Sequence, residues 1–372
     1  MPANAENIVR SLLAEADIQV NGDRPWDFRV RDPRVFSRIV TKGSLGAGEA
    51  YMDGCWDVEA LDQFFDRLLR ARLEASLRRG NFFRDWVLPR ISNLQNRRRS
   101  LRVAERHYDL GNEFYEAMLD RQWMQYTCGY WKDADSLDKA QAAKLDLVCR
   151  KLQLRPGQTV LELGGGWGGF ARYAAEHYGV SVTVYNISRE QVEWAREHTG
   201  NLPVTFHLKD YRDAEGTYDK VVSIGLCEHV GRKNYRDFLA LKARCLKKDG
   251  LALLHTIGCN VTKSWSDPWF TKYIFPGGSL PSLPQLTAAS EPGFIQEDFH
   301  NIGPDYDKTL MAWHRNFEEH WPWFRDRYGE RFYRMWRYYL LSCAGAFRAR
   351  NIQLWQFVYS KTGVKGGYTP VR

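Results

Sequence analysis

The chain has 372 residues, of which 44% are hydrophobic and 26% charged, with a formal net charge of +8 from 53 Lys and Arg against 45 Asp and Glu. That length exceeds one typical domain and suits two, and the composition is that of a globular protein rather than a disordered or collagen-like one. The longest uncharged run, Tyr273 to Ser290, contains Pro276, Gly277, Gly278, Pro281 and Pro284, so no transmembrane helix is expected. The N-terminus lacks a basic region followed by an apolar one, so no signal peptide is expected either. Seven Cys without a CxxC pair argue against a disulfide framework or a zinc site and for reduced thiols in a cytosol.

Residues 1–75 are predicted to form a small, mainly helical domain. It includes a glycine-rich run, Gly43 to Gly48 (GSLGAG), read as a structural turn because no basic residue follows it as a phosphate cradle would need. The charge is concentrated just beyond. Between Asp66 and Arg106 lie twelve Arg, no Lys and four acids, so this stretch alone carries the whole +8. Such a stretch on a neutral body points to a polyanionic partner, nucleic acid or acidic lipid headgroups. Its rings and apolar residues, among them Phe82, Phe83 and Trp86, interleave with Arg as in a surface-seeking amphipathic segment; a solvated linker helix is the plainer reading. Residues 76–104 are set down as a basic linker.

From about residue 105 to 372 helical and strand patterns alternate. Asp135 and Ser136 are N-cap candidates for a helix reaching Leu154, with Leu145, Val148 and Leu152 on one face. Short apolar runs follow at 159–163, 182–185, 204–207, 220–224 and 251–256, with later strands at 295–302 and 354–359 around a ring-rich helical stretch, 310–350. Such alternation predicts an α/β, doubly wound, mostly parallel sheet.

The first of these strands runs into Glu162-Leu163-Gly164-Gly165-Gly166-Trp167-Gly168-Gly169, a G-x-G-x-x-G turn between strand and helix. Glycines there let a ligand approach the backbone at a helix N-terminus. Dehydrogenases and methyltransferases share this turn. Here the second strand ends Tyr185-Asn186-Ile187-Ser188, with no carboxylate for an NAD ribose, and Glu162 is placed to receive an ammonium or a hydroxyl. These details favour S-adenosylmethionine.

At this point the chain resembles the cyclopropane-fatty-acyl-phospholipid synthase family of S-adenosylmethionine-dependent methyltransferases. The resemblance runs through Gly43–Trp56 (GSLGAGEAYMDGCW), His107–Asn112 (HYDLGN), Met124–Asp133 (MQYTCGYWKD), Asp210–Asp213 (DYRD), Glu228–Gly231 (EHVG), Leu254–Gly258 (LHTIG), Trp269–Pro276 (WFTKYIFP), Asp305–Leu310 (DYDKTL) and Cys343–Gln356 (CAGAFRARNIQLWQ). It implies a seven-stranded, Rossmann-like class I methyltransferase domain behind a helical, lipid-docking N-terminal domain. Two departures are local. Gly165 stands where the family has Cys or Ser, and Tyr185–Ser188 replaces its Gly-x-Thr-[Ile/Leu]-Ser run.

The resemblance also implies the chemistry: methyl transfer to a cis double bond of a phospholipid acyl chain, then ring closure through a carbocation that loses a proton. A cation needs electron-rich or dipolar walls and exclusion of water. Tyr126, Tyr130, Trp131, Tyr273, Tyr306 and Trp313 are candidate rings; ordinary aromatic core is the alternative, preferred for any ring outside a motif, while Tyr306 in DYDKTL is read as functional. The base implied is a bound bicarbonate held by Cys128, Glu228, His255, the backbone of Ile257, and Tyr306. Cys343 is a second thiol candidate, its apolar neighbours favouring an inert, buried Cys. For the cofactor, Tyr126, Thr127, Glu162, Gly164 and Gly166 are assigned to the amino-acid end and ribose, Asn186 and Gln191 to the ribose, and Asp210 and Tyr211 to the adenine, with His107 covering the site. No metal is called for. The expected partner is an anionic phospholipid bilayer, met peripherally at the inner membrane surface and in part through Arg78 to Arg102. The resemblance also implies a homodimer. A branched-methyl or methylene product is the sister outcome. A nucleic-acid methyltransferase would suit the Arg block, but Leu226-Cys227-Glu228-His229 stands where base methylases carry an Asn/Asp-Pro-Pro-Tyr/Phe motif. A peripheral membrane protein with a vestigial site is the non-enzyme alternative.

Overall fold

The computed structural model describes residues 2–72, 110–262 and 266–372. The basic linker, Arg78 to Arg102, and His107 lie outside the described residues. Two compact units divide the chain: Met1–Ser92 with Lys263–Pro276 and Tyr306–Ile352, and Asn93–Thr262 with Gly277–Asp305 and Gln353–Arg372. The units therefore interleave along the sequence, in contrast to the consecutive division expected from composition.

The second unit carries a seven-stranded sheet. Its strands are β3 (Thr159–Leu163), β4 (Ser181–Asn186), β5 (Val204–Leu208), β6 (Tyr218–Ile224), β7 (Leu246–Cys259), β8 (Ile295–Asn301) and β9 (Ile352–Ser360), ordered β5-β4-β3-β6-β7-β9-β8. Neighbours from β5 to β7 pair in parallel, and β8 pairs antiparallel with β9. Each strand falls where an apolar run predicts it, β7 extending further at both ends. Both faces are buried, as parallel sheets require. Val160, Val182, Val184, Val222, Leu251 and Leu253 point into one core with Leu145 and Val148; Leu161, Val221, Ala252 and Leu254 point into the other with Phe238. The period-2 alternation settles a functional question as well. Glu162, His255 and Gln356 share parity with Val160, Leu253 and Val358, so all three point to the face covered by the helix Leu137–Lys151. That helix is capped by Ser136, whose side chain accepts from the Lys139 N–H, as its sequence predicts.

The first unit holds the helices Pro2–Glu15, Arg34–Met52, Leu61–Arg70 and Pro268–Tyr273, the short antiparallel pair β1 (Arg29–Val30) and β2 (Trp56–Asp57), and Tyr306 onward of the helix Gly303–Arg348. Two expectations need correction. The run Gly43 to Gly48 is not a turn: it is helical and kinked only at Gly43 (φ 56°). Small residues are needed because Gly48 packs on Trp269, where a Cβ would come within 2.3 Å of the indole ring. The long ring-rich helix is broken at Gly329 (φ 73°, ψ 169°). Rings make the core of this unit: Tyr338 lies 5.4 Å from Tyr51 and 4.5 Å from Trp269, and Trp56 lies 5.1 Å from Tyr51.

Candidate active site

The chain leaves β3 in one direction across β4 and β5, then returns to the other side of β3 as β6. The loops after β3 and β6 therefore flank a topological switch point, where open α/β sheets bind ligands. The first loop is the glycine turn. Gly164 (φ 79°) and Gly166 (φ 54°) take left-handed conformations, and the helix Gly169–Tyr178 starts directly behind them. The structure accounts for the glycine between them: a Cβ on Gly165 would stand 2.3 Å from Cγ1 of Val184. Asn186 braces the turn, its amide donating to the Gly166 carbonyl and to Gln191 Oε1 at 3.0 Å each, while its Oδ1 accepts from the Ser188 N–H.

Beneath the turn lies a carboxyl group with no exposed route to water. Glu162 is 2% exposed, and its Oε2 has no hydrogen-bond partner. Burial pushes its pKa up to about 8, against the pull of Lys144. Lys144, equally buried, donates to Thr127 Oγ1 (3.0 Å) and to Gln125 Oε1, and burial pulls its own pKa down to about 8. Gln141 fixes the same strip by donating to the Thr127 carbonyl (2.7 Å), and Asp120 accepts from the Trp123 and Gln125 N–H groups at 2.7 Å. Thr127 Cγ2 stands 2.7 Å from where Gly225 would carry a Cβ, so this strip reaches the loop after β6. Tyr126 packs edge-on against Tyr115 at 5.3 Å, which in turn meets Trp167 of the glycine turn at 4.9 Å. An orphaned buried carboxyl oxygen under left-handed glycines fits a ligand bearing an ammonium and hydroxyls, as S-adenosylmethionine does.

A second buried cluster forms where β6 and β7 end. His255 is opposite Ile224 in the ladder, and its carbonyl accepts from the Gly225 N–H. Glu228, in the short helix Cys227–Val230, accepts at Oε1 from the Ile257 N–H at 2.6 Å. Glu228 Oε2 and His255 Nε2 are buried and have no hydrogen-bond partner among the described residues. Burial raises the Glu228 pKa to about 7 and holds His255 well below its ordinary value, with Lys144 and Lys151 adding to the second effect. A buried ring nitrogen and a buried carboxyl oxygen at the ends of neighbouring strands suit a small protonated anion such as bicarbonate. The Ile257 N–H assigned to that anion is held by Glu228 here. Cys128 is fully buried, and its thiol donates to the Gly129 carbonyl at 3.1 Å.

Asp210 accepts from the Arg212 N–H and pairs with its guanidinium at 2.9 Å, and Tyr211 packs edge-on to Phe238 with its pKa pushed up to about 12 by burial. Tyr306 and Cys343 belong to the first unit. Tyr306 stacks on Phe347 at 4.5 Å and meets Trp313 edge-on at 5.9 Å. Cys343 is only partly accessible, and burial, aided by Asp267, raises its thiol pKa far above the reactive range. Sequence reasoning missed Lys144, Gln125, Asp120 and Gln356. A lysine or an amide on a helix or strand reads as a solvated residue unless its register against the sheet is known. Gln356 had one signal, as the last residue of the Cys343–Gln356 run.

A sheet of this order with a glycine turn after its central strand is the fold of S-adenosylmethionine-dependent methyltransferases, and the chain is one of them. It belongs to the mycolic acid cyclopropane synthetase family, whose model matches residues 95–357. It is 51% identical over 372 residues to the Escherichia coli K12 cyclopropane-fatty-acyl-phospholipid synthase, covering 99% of this chain and 96% of the relative. The Mycobacterium tuberculosis cyclopropane synthase MmaA2 superposes with a TM-score of 0.66 at 30% identity, over 70% of this chain and 98% of that one. The mycolic acid cyclopropane synthase CmaA1, solved with SAH and CTAB, gives 0.65 at 32% identity over 70% and 98%.

Proposed function

We propose that the chain forms cyclopropane rings in membrane phospholipids, transferring a methyl group to the cis double bond of an unsaturated acyl chain. The observation that carries this reading is the near full-length similarity to a cyclopropane-fatty-acyl-phospholipid synthase, joined by the buried, unpartnered pair Glu228 and His255. S-adenosylmethionine, when bound, supplies an electrophilic sulfonium methyl. Gly164, Gly166 and Glu162 would hold its amino-acid and ribose portions, with Tyr126 and Thr127 beside them. Asn186 and Gln191 keep the turn in shape for the ribose, and Asp210 and Tyr211 meet the adenine. The acyl chain must be held close to the donor, since an alkene is a poor nucleophile.

Cys128, Glu228, His255, the Ile257 backbone and Tyr306 would hold a bicarbonate, which supplies a base. Glu228 takes up a proton readily, because burial keeps its affinity for one near neutral pH. The dry surroundings of both carboxyl groups protect a cationic centre from water. Anionic bilayer surface is the proposed partner, reached peripherally at the cytoplasmic face by a homodimer whose basic stretch adds about 1 kcal/mol per Arg close to the headgroups. No helix among the described residues is long and apolar enough to cross a membrane.

Incubation with S-adenosylmethionine and vesicles of unsaturated anionic phospholipid should yield lipid heavier by one methylene, with loss of the olefinic signals in NMR. Mass gain with a retained branched or methylene carbon identifies the sister product; methylation of RNA or DNA alone overturns the lipid reading. Replacing Arg97, Arg98 and Arg99 by Gln should weaken vesicle binding in low salt and leave cofactor affinity unchanged. Indifference of vesicle binding would make the stretch a linker.

A further inference from the structure

One fully buried polar side chain has no part in the chemistry above. Gln356, on β9, has no exposed surface, and its amide nitrogen lies 3.1 Å from His255 Nδ1. His255 is also fully buried, and its other ring nitrogen, Nε2, has no partner. A carboxamide in a sheet core costs stability unless it serves a partner. Among the described residues the one atom it serves is that ring nitrogen, for its own Oε1 has no partner there. An amide NH₂ group donates and never accepts, so with the carboxamide oriented as it is here Nδ1 presents its lone pair and the imidazole proton sits on Nε2. The neighbourhood keeps the ring neutral: burial and the two lysines Lys144 and Lys151 all oppose an imidazolium.

We infer that Gln356 is a positioning residue that locks His255 in the neutral tautomer protonated at Nε2, so that the histidine offers an N–H donor and never a base. The identity of the anion that meets this donor rests on the function proposed above; the tautomer does not. A division of labour follows. His255 has neither a free lone pair nor access to a second proton, so it orients and stabilises negative charge. Proton acceptance falls to Glu228, whose Oε2 is buried and unpartnered.

The test is nitrogen-15 NMR of the full-length enzyme with labelled histidine, the His255 signals being assigned by their loss in H255Q. The expected spectrum has a protonated, pyrrole-type Nε2 and an unprotonated Nδ1. The reverse pattern, with the carboxamide turned so that Oε1 accepts from Nδ1–H, overturns the proposal. In Q356E a carboxylate can only accept, so the proton should move to Nδ1, and turnover should fall on the order of 10²-fold. Affinity for S-adenosylmethionine should hold, which also reports folding. Q356M should leave a mixture of tautomers and raise the bicarbonate concentration needed for half-maximal rate. An unchanged His255 pattern in both variants overturns the proposal. If a variant fails to bind cofactor, the wild-type spectrum decides. Failure to make cyclopropane lipid would sink the proposed function but leave the tautomer reading standing.

Discussion

The two compact units differ in how they treat their buried carboxyl groups. In the first unit charge meets charge. Arg334 pairs with Asp57 at 2.6 Å and donates to the Tyr51 and Trp56 carbonyls; Arg348 clamps Asp62 and Asp307; Lys272 pairs with Glu49. In the second unit, beside paired charges such as Asp298 with Lys151 and Arg372, carboxyl and imidazole groups lie deep in the sheet with atoms that have no partner among the described residues, as at Glu162, Glu228 and His255. Buried polar atoms without partners cost roughly 1–3 kcal/mol each, so a fold keeps them only where something else meets them. The carboxyl oxygens left without a partner among the described residues belong to the residues for which function is proposed.

Three substitutions bear on that contrast, in falling order of effect. Glu228→Gln and His255→Gln should each lower product formation by roughly 10²- to 10⁴-fold at unchanged far-UV circular dichroism. A loss below about threefold, measured by lipid mass spectrometry, would mean that the unpartnered atoms are not part of the reaction.

The next concerns stability against pH. Burial raises Glu228 from its ordinary 4.5 to about 7. Between those values the folded chain holds a proton that the unfolded chain has released. The protonated group therefore favours folding at low pH, and that contribution disappears as pH rises through 7. Glu228→Gln removes the dependence, so the variant should gain on wild type by about 2 kcal/mol between pH 5 and pH 8, read by denaturant unfolding. Equal stabilities at both pH values would show that Glu228 titrates normally. A residue whose replacement stabilises the fold and abolishes turnover is held for function.

The smallest effect is expected in the first unit. Arg348→Met leaves Asp62 and Asp307 without their shared cation and should cost about 1 kcal/mol, the pair being partly screened by solvent. Stability unchanged within about 0.5 kcal/mol would place this clamp among ordinary surface ion pairs.

Much of the fold is legible in the chain itself. The run Thr159–Leu163 is a strand of those bounds because five residues rich in Val and Leu, stopped by glycines, permit little else. The cap at Ser136 and the glycine turn at Gly164 are local features that neighbours in sequence decide. The run Gly43–Gly48 misleads for the same reason. Local propensity favours a turn, but close packing on Trp269 rewards small residues in a helix. The aromatic excess has a structural share as well: Tyr51, Trp56, Trp269 and Tyr338, none of them among the candidate cation walls, form a packed core.

What the sequence alone determined is the doubly wound sheet, the cofactor turn and the identity of Glu162, Glu228 and His255 as candidates, because strand period, glycine placement and motif order are properties of neighbouring residues. Only the tertiary structure decided that Lys144 lies beneath Thr127, that Glu228 holds the Ile257 N–H, and that Gln356 faces His255 from 101 positions away in the chain. Those contacts depend on strand register and on which face of the sheet a side chain enters, and both are settled by long-range packing.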